Sequence, residues 1–122
     1  MKICITSSGK TLDSTVDSRF GRCAYFIIYD TGTGNFEAQE NNNAQFQGGA
    51  GIQSAQFVAS YGTKAVLTGN VGPNAYQTLN AAGIEIYTGV SGNIKEAIEQ
   101  YKAGKLKITQ APSVKSKFGM GK

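Results

Sequence analysis

Residues 62–104 read GTKAVLTGNVGPNAYQTLNAAGIEIYTGVSGNIKEAIEQYKAG, and their rhythm decides the fold. Two short β-prone runs, Lys64 to Thr68 and Ile84 to Thr88, alternate with two helical patterns. Pro73 stands at the first position of one helix, where its missing N–H costs nothing. Ala75, Leu79 and Ala82 mark the face of that helix, and Gly83 closes it. Asn93 caps the next helix, with Glu96 three residues on as its capping-box partner. Ile94, Ala97, Ile98 and Tyr101 give its apolar face, and Gly104 closes it. Upstream, Ile52, Ala55 and Ala59 mark a third helical face that ends at Gly62. Gly62, Gly83 and Gly104 recur every 21 residues, the length of one βα unit. A glycine just past a helix supplies the left-handed residue that ends it.

The N-terminal half has a different rhythm. Residues 2–6 alternate and form a first strand. Residues 7–23 are polar and irregular, and long ordered loops tend to be functional. Ala24 to Asp30 and Asn35 to Glu40 are strands around the turn Thr31-Gly32-Thr33-Gly34, and Asn41-Asn42-Asn43 ends this hairpin. A hairpin asks for antiparallel neighbours, and βα units ask for parallel strands with right-handed crossovers. Both are met by an α/β fold with a mixed five-stranded sheet flanked by helices. The hairpin should run antiparallel to strand one, and the strands at 64–68 and 84–88 parallel to it. The domain is expected to span 1–108, with Leu106-Lys107-Ile108 as an optional edge strand.

The hydrophobic fraction, 40%, can build a core in 122 residues, and the charged fraction, 16%, is too low for a disordered solvating chain. No apolar run approaches the roughly 18–20 residues that span a bilayer. Met1 to Thr6 lacks the apolar stretch and cleavage site of a signal peptide, so a cytoplasmic chain with no membrane partner is expected. Cys4 and Cys23 are then expected as free thiols. There is no His, which removes the commonest metal ligand and general base together. Residues 1–101 hold six basic and eight acidic groups, whereas 102–122 hold six lysines and no acid. The body is mildly acidic, and residues 109–122 are expected to be a basic, flexible, solvated tail. Lys115 and Lys117 near Phe118 lack the aromatic interleaving of a nucleic-acid surface, so nucleic acid is not an expected partner.

Ligands of such sheets bind beyond the carboxyl ends of the parallel strands. Here those ends are Thr6-Ser7-Ser8-Gly9, Thr68-Gly69-Asn70 and Thr88-Gly89, joined by the glycine loop Gly48-Gly49-Ala50-Gly51. Exposed N–H groups and helix N-termini favour anions. The plainer reading is that the glycines only make turns, since neither a full dinucleotide fingerprint nor a phosphate loop is present. The most distinctive stretch is Asp17 to Phe26, where Arg19 and Arg22 flank a Phe-Gly step before Cys23. Two arginines in four residues point to an anionic ligand, and an arginine beside a thiol lowers its pKa. Thiolate is a soft ligand suited to iron–sulfur chemistry. Cys23 could equally be a small packed residue, Arg19 and Arg22 could pair with Asp17 and Asp13, and Cys4 should be buried mid-strand. The candidate binding residues are Ser8, Gly9, Arg19, Arg22, Cys23, Gly49 and Asn70, with Cys23 as the candidate metal ligand. Residues 7–22 and 41–50 are expected to be flexible without ligand.

The stretch Val16 to Asp30 resembles the entry motif of the dinitrogenase iron–molybdenum cofactor biosynthesis family. So do Gly51 to Ala55, Lys64 to Ala75 and Leu79 to Tyr87, in the family's order, over roughly residues 1–102. The resemblance implies a ribonuclease H-like fold. It also implies a non-catalytic carrier or accessory protein that binds an iron–sulfur or iron–molybdenum cluster or its precursor, with cluster donor and acceptor proteins as partners. The chain departs from cluster-binding members that use a histidine, and Cys23 stands where small residues are common. Catalysis finds no support in the residues. Ribonuclease chemistry needs carboxylates gathered on metal ions, yet strand one, the end of the 64–68 strand and the first helix hold none. Triads that need His are absent. The alternative reading is a metal-free protein-interaction or regulatory module of the same fold.

Overall fold

The computed structural model describes residues 1–42 and 50–113. The elements in chain order are β1 (Lys2–Ser7), β2 (Tyr25–Asp30), β3 (Phe36–Glu40), α1 (Ala50–Ala59), β4 (Thr63–Leu67), α2 (Pro73–Ala81), β5 (Glu85–Tyr87) and α3 (Ile94–Lys102). They build an α/β fold with one five-stranded mixed sheet in the order β3-β2-β1-β4-β5. β2 is antiparallel to β1 and to β3, while β4 is parallel to β1 and β5 is parallel to β4. The expected directions are all found.

The helix ends follow the sequence signals. Pro73 opens α2, and the Asn93–Glu96 capping box closes reciprocally at the start of α3. Gly62, Gly83 and Gly104 have φ of 73°, 77° and 73°, so each occupies the left-handed region where a side chain is disfavoured. Leu106 to Ile108 does not become a strand.

Period-two alternation along β1 explains why this strand is central. Ile3 and Ile5 point to one face and pack with Ile27, Leu67, Ile94 and Ile98 under α3. Cys4 points to the other and packs with Phe26, Val66, Val58 and Leu79 under α1 and α2. Both faces of β1 are therefore dry. α1 and α2 share a face because two successive right-handed crossovers step in the same direction, from β3 past β2 and β1 to β4, and from β4 to β5. Among the described residues no strand follows α3, which covers the opposite face.

Chain direction fixes where a site can lie. The carboxyl ends of β1, β4 and β5 share one edge. The antiparallel β2 begins there too, with Tyr25 opposite Ser7.

The tail departs from expectation at its start. Thr109 donates its N–H to the Ile86 carbonyl (2.7 Å), its hydroxyl lies 2.8 Å from the Thr88 hydroxyl, and Ser113 donates its N–H to the Val71 carbonyl (2.9 Å). Residues 109–113 are thus tied to the body, and the boundary expected at 108/109 is not where the chain leaves it. The lysines beyond, Lys115, Lys117 and Lys122, lie outside the described residues.

Candidate functional site: a strap across the carboxyl edge of the sheet

The loop from β1 to β2 contains two apolar residues that the fold uses as anchors. Val16 is buried in the core beneath α3, and Phe20 is buried in the core beneath α1 and α2. The chain between them must therefore cross the edge of the sheet. Residues 17–19 make that crossing as a strap over the ends of β1 and β4. The Asp17 N–H donates to the Thr6 carbonyl at 2.9 Å, and the Phe20 N–H donates to the Asn70 carbonyl at 3.1 Å. The Thr6 hydroxyl donates to the Asp17 carbonyl at 2.7 Å and lies 2.8 Å from the Thr68 hydroxyl, so two buried hydroxyls join the strap to both strands. The Asn70 amide donates to the Ser18 carbonyl at 3.3 Å.

The approach is so close that Gly69 has no room for a side chain. A Cβ there would meet Ser18 Cα at 2.6 Å and its carbonyl oxygen at 2.9 Å. Farther on, Gly21 adopts φ 95°, and a Cβ on it would lie 3.1 Å from Gly51 Cα in the first turn of α1. The loop before the strap is held as firmly. Val16 donates its N–H to the Gly92 carbonyl, and Ile94 and Lys95 donate theirs to Ser14 and Leu12. Residues 7–22 were expected to be flexible on the ground of their polarity. The strap and its two anchors overturn that reason, because polar residues here find backbone partners.

The structure brings some of the expected site residues together and separates others. Arg19 and Asn70 are neighbours, joined as a short parallel bridge. Arg19 is exposed, and its Nε lies 3.3 Å from Asp17 Oδ1, so the pairing with Asp17 read from the sequence is made. Arg22 is also exposed. Ser8 and Gly9 instead bond within the 7–16 lobe: the Ser8 N–H donates to Thr15, and the Gly9 N–H donates to the Ser7 hydroxyl at 3.1 Å. Gly49 lies outside the described residues, as does most of the 41–50 segment.

Cys23 needs correction on two counts. Offered as the candidate metal ligand, it is fully buried, as is Cys4, and both are free thiols, so the reading of Cys23 as a small packed residue is the one the structure bears out. Expected to have a lowered pKa, it has one raised to about 12. Burial is the main cause and the nearby Asp17 carboxylate the second, while hydrogen bonds from Ser7 and Asn41 pull the other way. The arginines do not offset this, because they stand outside the core that holds the sulfur. The Cys4 thiol is also raised well above its ordinary value, by burial first and by Cys23 second.

Asn41 is a residue that sequence reading missed. It is buried, and its amide donates to the carbonyls of Gly21 (3.1 Å) and Cys23 (2.9 Å), pinning the end of the loop to the end of β3. In a run of three asparagines nothing marks one as buried. The three helices all start at this same edge, and α2 has no side-chain cap at Gly72. Among the described residues no three His, Cys, Asp or Glu side chains gather closely enough to hold a metal ion. A groove of about 460 Å³ beside α3 is lined by Glu96 and Glu99 against the single cation Lys105, so its charge does not favour an anion.

The model of the dinitrogenase iron–molybdenum cofactor family matches residues 1–104. The chain belongs to this family. An uncharacterized protein of Methanocaldococcus jannaschii is 33% identical over 97 residues, which cover 77% of this chain and 82% of that protein. The apo form of the orange protein from Desulfovibrio gigas superimposes with a TM-score of 0.89 at 37% identity, covering 92% of this chain and 95% of that one. A Thermotoga protein described as a NifB protein gives a TM-score of 0.78 at 42% identity, over 88% of this chain and 91% of that one. This family member carries an arginine-bearing strap at the carboxyl edge of its sheet. No helix of the described residues is long and apolar enough to cross a membrane.

Proposed function

We propose that this protein is a non-catalytic carrier or accessory factor. Its cargo on this reading is an anionic iron–sulfur or iron–molybdenum cluster, or a precursor of one, held at the carboxyl edge of the sheet. The strap carries the reading: it is fixed from both sides of the sheet, and it presents Arg19 beside Asn70 with Arg22 close behind. The family match over residues 1–104 supports this chemical class. Charge and N–H donors would hold such a cargo, with the uncapped start of α2 adding positive potential. Cys23 would have to leave its packing and lose its proton to ligate a metal, so we assign the holding to the arginines and amides. The sheet order with an antiparallel β2 supports a ribonuclease H-like classification. Cytoplasmic residence, with cluster donor and acceptor proteins as partners, follows from the same reading.

Anaerobic reconstitution with iron, sulfide and molybdate tests it, followed by desalting, metal and sulfide assay and an absorption spectrum. A carrier retains metal and sulfide in fixed proportion to protein. A protein that emerges with neither is the metal-free interaction module instead.

A further inference from the structure

The two outer strands of the sheet end differently. Along β5 the returning chain covers the edge: Thr109 donates its N–H to the Ile86 carbonyl (2.7 Å), and its hydroxyl accepts the Thr88 N–H (2.9 Å). Along β3, at the other end of the sheet, no described residue takes that place. The hairpin fixes which groups of β3 are left over. Asp30 donates its N–H to the Asn35 carbonyl (2.8 Å), and Asn41 donates its N–H to the Ala24 carbonyl (3.0 Å). Residues 35 and 41 therefore turn their main-chain groups toward β2, and by alternation Glu37 and Gln39 do the same. The N–H and C=O groups of Phe36, Ala38 and Glu40 point outward. Such an edge is a template for another strand, and β3 has no proline, lysine or bulge to blunt it.

We propose that β3 pairs antiparallel with β3 of a second copy of this chain, about a twofold axis through Ala38. The sequence of the strand is self-complementary in that register. Ala38 faces Ala38, Phe36 faces Glu40 and Glu37 faces Gln39, so each glutamate meets an uncharged residue and every outward N–H and C=O finds a partner. Sliding the pair one step toward the hairpin turn sets Glu37 against Glu37. Sliding it one step the other way leaves Phe36 beyond the end of the partner strand. The Gln39 amide already donates to Glu37 Oε1 within one copy, at 2.5 Å, and stands opposite Glu37 of the other. Phe36, 42% exposed, gains the Glu40 stem and the diagonal Ala38 as cover. The axis lies normal to the sheet, so the two carboxyl edges point in opposite directions and both straps stay accessible. The pairing is thus independent of the cargo reading. One strand pair buries little area, so the dimer is weak and forms with rising concentration.

Sedimentation velocity and amide hydrogen exchange of the full chain, from ~10 µM to ~1 mM, test this. The amides of Phe36, Ala38 and Glu40 gain protection as the dimer forms, whereas those of Glu37 and Gln39 are protected throughout. Ala38→Pro removes only an outward N–H, so it keeps the wild-type fold and abolishes association. Gln39→Glu sets like charges opposite each other twice and weakens association roughly fivefold, while Gln39→Lys strengthens it by a similar factor. Net charge alone predicts the reverse order, because the chain carries +4. A wild type that stays monomeric at ~1 mM overturns the proposal. So does a dimer that a folded Ala38→Pro variant still forms, or one whose affinity the two Gln39 variants leave unchanged or shift in the net-charge order.

Discussion

Gly69→Ala probes the strap at its tightest point. The added methyl would sit 2.6 Å from Ser18 Cα, 2.9 Å from its Cβ and 2.9 Å from its carbonyl oxygen. These are backbone or near-backbone atoms, held by Asp17–Thr6 and Phe20–Asn70 hydrogen bonds on either side, so no side chain can swing away. Gly69 is not among the positive-φ glycines, so the whole effect is steric. Forced overpacking costs about 1–3 kcal/mol. Displacing the strap would also strain the Asn70 amide bond to Ser18, so a value near ~3 kcal/mol is expected. For a domain of this size that lowers Tm by roughly 8–15 °C. Gly83→Ala is the control: φ is 77° there and no atom lies within 4 Å of its Cβ, so it should lose only the ~1–2 kcal/mol of left-handed strain. Urea unfolding of both variants gives the comparison. If Gly69→Ala proves no less stable than Gly83→Ala, the strap is not clamped as described.

The remaining predictions concern the thiols and their distance from the cargo. The Cys23 thiol is neutral in the fold up to about pH 12 but ionises near 9 when unfolded, so its contribution is complete below pH 9 and is lost as pH rises from 9 toward 12. Unfolding free energies from urea titrations at pH 8 to 10.5 should fall by up to ~1.4 kcal/mol per pH unit from this group alone. Cys4 adds in the same direction, and Cys23→Ala should flatten the slope while lowering stability at pH 8 through its cavity. In anaerobic reconstitution, Cys23→Ala should retain as much metal as the wild type. A proportional loss of metal in a folded variant would return the thiol to the site as a ligand.

Most of the fold is legible because its signals are local. Pro73, the Asn93–Glu96 box and the glycines at 62, 83 and 104 each dictate a conformation within a few residues, and the hairpin is set by one turn. The site is only partly legible because it is made by long-range meetings. Arg19 stood out by composition, but its position over Asn70 depends on Val16 and Phe20 falling into different cores, which no spacing announces. Cys23 misled because proximity in sequence to two arginines says nothing about which side of the backbone the sulfur takes. The clamp of Ser113 on Val71 spans 42 residues and joins two segments that look like ordinary loop.

Cargo uptake by Arg19→Gln/Arg22→Gln, measured against the wild type across ionic strength, addresses the central claim most directly. If the strap's charges hold an anionic cluster, the wild type loads best at low salt and loses uptake as salt rises, while the double variant loads poorly throughout with a shallower salt dependence. Circular dichroism and a wild-type urea midpoint would confirm that the variant is folded, as expected for two exposed side chains. Equal uptake with an equal salt slope in both proteins would contradict the account and move the cargo away from the strap.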